Sequence, residues 1–332
     1  MKDKLRLGVV GVGQFGRHHA RVYSELEDVL LVGVADTSVD RADAVARRHG
    51  AAAFADYRML FDRVDAVSVV VPAAAHAAVS CDFLSRGISV LVEKPMAATL
   101  ADALRMQAAA KTAGARLQVG HIMRFSPLVH AMREMDLVPR FLDIHRMGPF
   151  AFRALDVGVV LDMMIHDIDL VLCLVHSRVE KVDATAFAVV GPHEDVANAR
   201  VVFADGCVAS LTASRVSPGA RRTARIFSAD ACLSVDFQAH TAHILRKLPG
   251  FSLDAADVEK TSTLSPEDLK KFAPAEPFAP REIKLEEEEP LKAELRSFVT
   301  SVRDGRTPEV SSEDGVRSME LAEKILDAAR KK

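Results

Sequence analysis

Gly11-Val12-Gly13-Gln14-Phe15-Gly16 stands between an apolar run, Leu5 to Val10, and a helix-like stretch, His18 to Glu27. In a G-x-G-x-x-G turn the first glycine permits the tight bend and the second lets a pyrophosphate approach the backbone. The third allows helix and strand to pack closely. Asp36 closes the next apolar run, Val29 to Ala35. An acid there accepts hydrogen bonds from the adenosine ribose hydroxyls and repels a 2'-phosphate, so the pattern points to NAD rather than NADP. The competing reading is a plain glycine turn with Asp36 capping a helix. A second pair, Asp162 and His166, is four residues apart inside the helical pattern Val157 to Val175. Such spacing brings both side chains to one helix face. A histidine, with an unperturbed pKa of about 6.5, suits a general base, although a capping or packing pair has the same spacing. Lastly, residues 121–153 carry Arg124, Arg133, Arg140, Arg146 and Arg153 against Glu134, Asp136 and Asp143. Arginine forks suit phosphate and carboxylate oxygens; surface charges or interface pairs are the alternative.

The elements that must position these groups alternate at first. Apolar runs at Leu5 to Val10, Val29 to Ala35, Ala52 to Ala55, Ala66 to Val71, Ser89 to Val92 and Leu117 to Gly120 are separated by helix-like stretches. Strands alternating with helices predict βαβ units and a parallel sheet covered on both faces. This Rossmann-type domain is expected to span residues 1–122. Beyond it, a long helix over Val157 to Val175 precedes strand-like runs at Val182 to Val190, Ala197 to Phe203, Cys207 to Ser214, Thr223 to Ser228, Ala231 to Phe237 and Thr241 to Leu245. Strands in series predict a mainly antiparallel sheet, with Asp205-Gly206 as a hairpin turn. Residues 123–332 thus read as an α+β domain for substrate binding and oligomerisation. A helix on one sheet face leaves the other open for a homodimer or homotetramer contact. Residues 249–290, with Glu286 to Glu289, read as a solvated surface segment, and two helices, Pro290 to Arg303 and Glu313 to Arg330, close the chain.

Composition narrows the partners. With 43 basic and 46 acidic side chains and a formal net charge of -3, no general field draws the 332-residue chain to nucleic acid or anionic lipid. No run approaches the ~18 apolar residues of a membrane span. The N-terminus enters a strand too soon for a signal peptide, so a cytoplasmic location is expected. Cys81, Cys173, Cys207 and Cys232 are scattered without metal-ligand spacing and read as reduced core residues, with no metal expected.

Pro72 with His76, Ser89-Val90-Leu91-Val92-Glu93-Lys94-Pro95, Val119-Gly120-His121, Gly158 to Asp169 and Pro308 to Leu326 carry a further pattern. Together they resemble the glucose-fructose oxidoreductase, inositol dehydrogenase and MocA family over nearly the whole chain. The resemblance implies an NAD-dependent sugar dehydrogenase. It places Lys94 beside the nicotinamide and substrate, Pro95 in a frequent cis bond, and Pro72, His76 and Glu93 in the cofactor pocket with Gly11, Gly13, Gln14, Phe15, Gly16 and Asp36. It makes Gly158, Asp162 and His166 the G-x-x-x-D-x-x-x-H motif, with His166 the usual proton acceptor and Asp162 binding or orienting; family members differ over whether the lysine or the histidine takes the proton first. The segments Gly120 to Pro127 and Gly148 to Val171 are similar to the branch that oxidises the 3-hydroxyl of UDP-N-acetylhexosamines, with Met123 and Ser126 where that branch often has Glu and Asn. On that reading His121, Arg124, Arg146 and Arg153 face the nucleotide sugar. A dehydrogenase of a free polyol or aldose is the alternative, and a non-catalytic NAD-binding sensor a more distant one. Asp36→Ala should weaken NAD binding and narrow the preference for NAD over NADP; an unchanged ratio of the two affinities removes the role given to Asp36.

Overall fold

Six short β-rich runs in the first half pair side by side because each is apolar on both faces. The computed structural model describes residues 4–331 apart from 136, 153–155, 250, 266, 270–277 and 287. Its strands β1 (Leu5–Val10), β2 (Val29–Ala35), β3 (Ala52–Phe54), β4 (Ala66–Val69), β5 (Ser89–Glu93) and β6 (Leu117–Gly120) form a parallel sheet in the order β3-β2-β1-β4-β5-β6. Helices α1 (Gly16–Glu25), α2 (Val39–His49), α3 (Ala73–Leu84) and α4 (Leu100–Ala113) cover it. This is the doubly wound dinucleotide-binding order, whose ligand crevice lies outside the carboxyl ends of β1 and β4. Helix ends follow local chemistry: Ser38 and Thr99 cap α2 and α4 through their side chains, and Gly50 and Gly114 end them in the left-handed conformation.

The second half contains an eight-stranded sheet in the order β14-β13-β12-β11-β7-β10-β9-β8. Its members are β7 (Phe141–Met147), β8 (Val179–Phe187), β9 (Val196–Phe203), β10 (Val208–Ser214), β11 (Arg221–Phe227), β12 (Ala231–Asp236), β13 (Thr241–Lys247) and β14 (Phe278–Glu282). Every pairing is antiparallel except that of β7 with β10. Inward positions such as Ala197, Ala199, Val201 and Phe203 are buried, while Asn198 and Arg200 between them are exposed. Helix α6 (Ile165–Leu174) lies on the inner face; the outer face has no covering element among the described residues and carries polar groups such as Asp143, His145, Ser210, Thr212 and Arg225. No helix of the described residues is long and apolar enough to cross a membrane.

Three elements go beyond the sequence reading. Strand β7 lies in the middle of the sheet, although its inward positions read Leu142, Ile144, Arg146, so a guanidinium interrupts the apolar alternation. Helices α5 (Pro127–Glu134) and α7 (Ala255–Thr263) were not anticipated, and the solvated segment supplies both α7, which buries nothing, and the wholly exposed edge strand β14. The expected long helix also splits: Val160–Met164 is a π-helical turn and α6 begins only at Ile165.

Helices α8 (Pro290–Asp304) and α9 (Ser312–Arg330) return the chain to its beginning. Leu295, Phe298 and Val299 of α8 complete the apolar cluster around Leu7, Val9 and Tyr23, while α9 packs on α4, α6 and β8. Glu294 enters the interior with them, fully buried, with neither carboxyl oxygen hydrogen-bonded among the described residues. Burial, and then the charge of Glu93, push its pKa well above the usual carboxylate range. A carboxyl whose folded pKa is raised stabilises most below its unfolded pKa and loses that contribution as pH climbs toward the folded value. Glu294→Gln should therefore gain about 1–3 kcal/mol at neutral pH and almost nothing near pH ~4. Denaturant unfolding of both proteins across that range reads the difference; parallel stability curves reject it.

Candidate functional site

At the mouth of the crevice the three fingerprint glycines are required for different reasons. Gly11 has φ +84°, and a Cβ on it would lie 2.4 Å from the Val70 carbonyl oxygen; one on Gly16 would lie 1.8 Å from the Gly11 oxygen. Gly13 has nothing within 4 Å of its would-be Cβ, which leaves the approach open where a pyrophosphate meets a helix N-terminus. Gln14 and Phe15 are exposed at the tip. Asp36 Oδ2 accepts from Val12 N (3.0 Å), and Oδ1 accepts from Ser38 N (2.8 Å) and Arg41 Nη2 (2.9 Å). Burial alone would raise its pKa, but the Arg41 guanidinium and the two N–H donors prevail and hold the carboxylate below the usual range. A glycine cradle beside an ionised acid fits the pyrophosphate and diol of NAD.

Strand β5 delivers the next residues. Glu93 and Lys94 follow its last buried positions, and the Lys94–Pro95 bond is cis. Pro72 begins α3, whose His76 is buried with Nδ1 2.9 Å from the Pro95 carbonyl and Nε2 2.8 Å from that of Val71. The ring thus ties the turn after Lys94 to the end of the β4 segment, a bracing contact rather than a free cofactor ligand. Gly120 of β6 packs so tightly that a Cβ would meet the Glu93 Cα at 3.1 Å.

Lys94 reaches across to the second half. Its Nζ donates to the Asp162 carbonyl at 2.6 Å and to Asp162 Oδ1 at 3.2 Å. Asp162 lies in the π-turn Val160–Met164, where the regular helical ladder is interrupted. The turn is itself held at its start. Glu194 Oε1 accepts from Val160 N (3.2 Å), and its carboxyl group fills the space a Cβ on Gly158 would need, 1.9 Å away. His166 follows one turn later. Burial first, then the positive charges of Lys94, Arg146 and Arg222, keep its pKa well below 6.5, so it is neutral at pH 7. Buried His121 is shifted the same way, chiefly by burial. The Nδ1 atoms of both histidines are buried and have no hydrogen-bond partner among the described residues.

The arginines expected at the substrate stand differently. Arg124 donates Nε and Nη2 to Asp169 at 2.8 Å each, and Arg146 grips Asp167 with Nε (3.0 Å) and Nη2 (2.6 Å). All four groups are buried. Burial pulls the Arg124 pKa down, but Asp169 outweighs it, whereas burial raises the Asp167 pKa against the opposing pull of Arg146. In place of two free phosphate forks, the structure has two carboxylate-bound clamps joining α6 to β7 and to the segment after β6. Arg153 lies outside the described residues. The sequence holds a signal for this: Asp167 and Asp169, which read as structural from their angles on the helix, are two acids in the apolar helix Ile165–Leu174 and must find buried partners. No comparable spacing pointed to His19, Ser68 and Tyr23, whose side chains line up behind Glu93.

Comparison with known proteins agrees with this architecture. Residues 5–121 match the oxidoreductase family with an NAD-binding Rossmann fold, and residues 129–234 match the GFO/IDH/MocA C-terminal domain. The chain is 36% identical over 271 residues to UDP-N-acetylglucosamine 3-dehydrogenase of Acidithiobacillus ferrooxidans, covering 79% of this chain and 86% of that protein. The solved structure of the dehydrogenase GnnA from that organism superposes with a TM-score of 0.85 at 31% identity, covering 99% of this chain and 98% of the other. The scyllo-inositol 2-dehydrogenase (NAD(+)) of Bacillus subtilis is 25% identical over 341 residues, 97% of this chain and 93% of the relative. With both halves matched, the chain belongs to the Gfo/Idh/MocA family of NAD-binding oxidoreductases.

Proposed function

We propose that the protein oxidises the 3-hydroxyl of a UDP-N-acetylhexosamine to the 3-keto sugar with NAD. The observation that carries this reading is Lys94 held by Asp162 one helical turn from a neutral His166, in a chain similar to a UDP-N-acetylglucosamine 3-dehydrogenase over most of its length. Residues 1–122 take the cofactor, with Gly11, Gly13, Gln14, Phe15 and Gly16 at the pyrophosphate, Asp36 at the adenosine ribose, and Pro72, His76, Glu93 and Lys94 bordering the nicotinamide end. Residues 123–332 offer the sugar side and, on the open sheet face, a contact for a homodimer or homotetramer.

NAD, when bound, supplies the hydride acceptor. The chain's own share is orientation and the proton. An ammonium has three donors; two of those on Lys94 face Asp162, which leaves one for the substrate oxygen as negative charge develops on it. Neutral His166 is the base that takes the hydroxyl proton. His121 adds a second buried imidazole with an unpartnered nitrogen, suited to a sugar hydroxyl.

A second reading, oxidation of a free polyol or aldose, draws on the arginines. Because Arg124 and Arg146 already bind Asp169 and Asp167, neither offers a free fork to a diphosphate. NADH formation with UDP-GlcNAc, its uronate, inositol and glucose separates the two readings: activity confined to the neutral sugars ends the nucleotide-sugar proposal. Lys94→Ala and His166→Ala should each lower turnover about 10²- to 10⁴-fold and leave NAD affinity intact, so near-normal turnover in either rejects its assignment. Because the His166 pKa is depressed, the acid limb of the kcat/KM profile should fall below pH 6.5; a limb at or above that value is incompatible with His166 as the base.

A further inference from the structure

Behind Lys94 a chain of buried side chains runs into the first half. Glu93 Oε2 accepts from the Lys94 backbone N–H at 3.1 Å, and Oε1 lies 3.1 Å from His19 Nε2. His19 Nδ1 lies 3.1 Å from Ser68 Oγ, and Ser68 Oγ lies 2.8 Å from the Tyr23 hydroxyl. His19, Ser68 and Tyr23 are all buried and come from α1 and β4. The directions follow from chemistry. An ionised carboxylate only accepts, so His19 Nε2 carries the hydrogen. In the neutral ring Nδ1 must then accept, which makes Ser68 its donor and leaves Tyr23 to donate to Ser68. With a neutral ring, each hydroxyl and N–H in the series points toward Glu93, an arrangement in which successive bonds polarise one another.

We propose that His19 is a positioning residue that, backed by Ser68 and Tyr23, keeps the Glu93 carboxylate ionised and fixed beside Lys94. The groups facing Glu93 explain why such a device is required. The Lys94 charge acts on it from the next residue. Glu294 from α8 adds a second acid, His76 from α3 and His121 after β6 lie within reach of its charge with their own pKa values lowered by burial, and Gly120 presses backbone against it. Burial works against ionisation of Glu93, and the His19 hydrogen bond is the first of the opposing influences that hold its pKa below the usual range. Loss of that donor favours protonation of Glu93 and removes the negative charge that accepts the Lys94 backbone N–H and acts on its ammonium.

The inference rests on Lys94 working at the reacting hydroxyl, and two variants test it. His19→Leu removes the donor; His19→Gln keeps an N–H in reach. On whichever panel sugar is turned over, His19→Leu should lower kcat about 10- to 100-fold, as expected for one hydrogen bond to a charged group. The acid limb of its pH profile should move upward, while KM for NAD changes little. His19→Gln should restore kcat and the limb toward the native values. A native pH profile in His19→Leu, or equal loss in both variants in step with a fall in Tm, overturns the proposal. Carboxyl ¹³C NMR of Glu93, identified by the signal lost in Glu93→Gln, needs no substrate. An upward shift of its titration midpoint in His19→Leu alone supports the proposal even if every panel sugar fails, and an unmoved midpoint rejects it even if one succeeds.

Discussion

The contact between Lys94 and Asp162 is a polar join between the two halves of this protein. It is an ion pair with one partner on the last residues of a parallel strand and the other in a π-helical turn of the opposite half. Most of what surrounds it serves to hold those two backbones still. On one side the His76 ring braces the turn after Lys94, and on the other Glu194 secures the start of the π-turn. A partly buried charge pair of this kind contributes little to stability in itself; it sets the Lys94 ammonium within electrostatic reach of His166.

Electrostatic order extends outward from that pair in alternating layers. Positive Lys94 is flanked by negative Asp162 and Glu93, Glu93 by the donor His19, and His166 is kept neutral by burial and then by cations. Farther out, Arg124 with Asp169 and Arg146 with Asp167 close the interior with two-pronged bonds. Such forks fix orientation as well as distance, so α6 is set against β7 by geometry that apolar packing alone would leave free to slide.

Much of the first half was legible because its signals are local. The glycine run, the acid ending β2 and the alternation of strand and helix each depend on a few neighbouring residues, and β1 to β6 appear where those patterns put them. The family resemblance, carried by the Glu93-Lys94-Pro95 and Gly158 to His166 motifs, agrees with both matched family segments. What escaped was long-range. Strand β7 was hidden because Arg146 occupies an inward position, sensible only once Asp167 stands opposite it. The π-turn was hidden because the group that holds its start, Glu194 beside Gly158, lies more than thirty residues farther along the chain. The arginines looked available for anions because no spacing rule ties Arg124 to Asp169 across forty-five positions.

The path of the last helices has an evolutionary corollary. Because α8 furnishes Leu295, Phe298 and Val299 to the apolar cluster of the opening strands, the cofactor-binding half is assembled from both ends of the polypeptide. Recombination that exchanged only the leading segment with that of a relative would bring in a lobe lacking its native closing helix. The fold therefore favours inheritance of the gene as one piece, with substrate range altered by changes lining the cleft rather than by shuffling of modules.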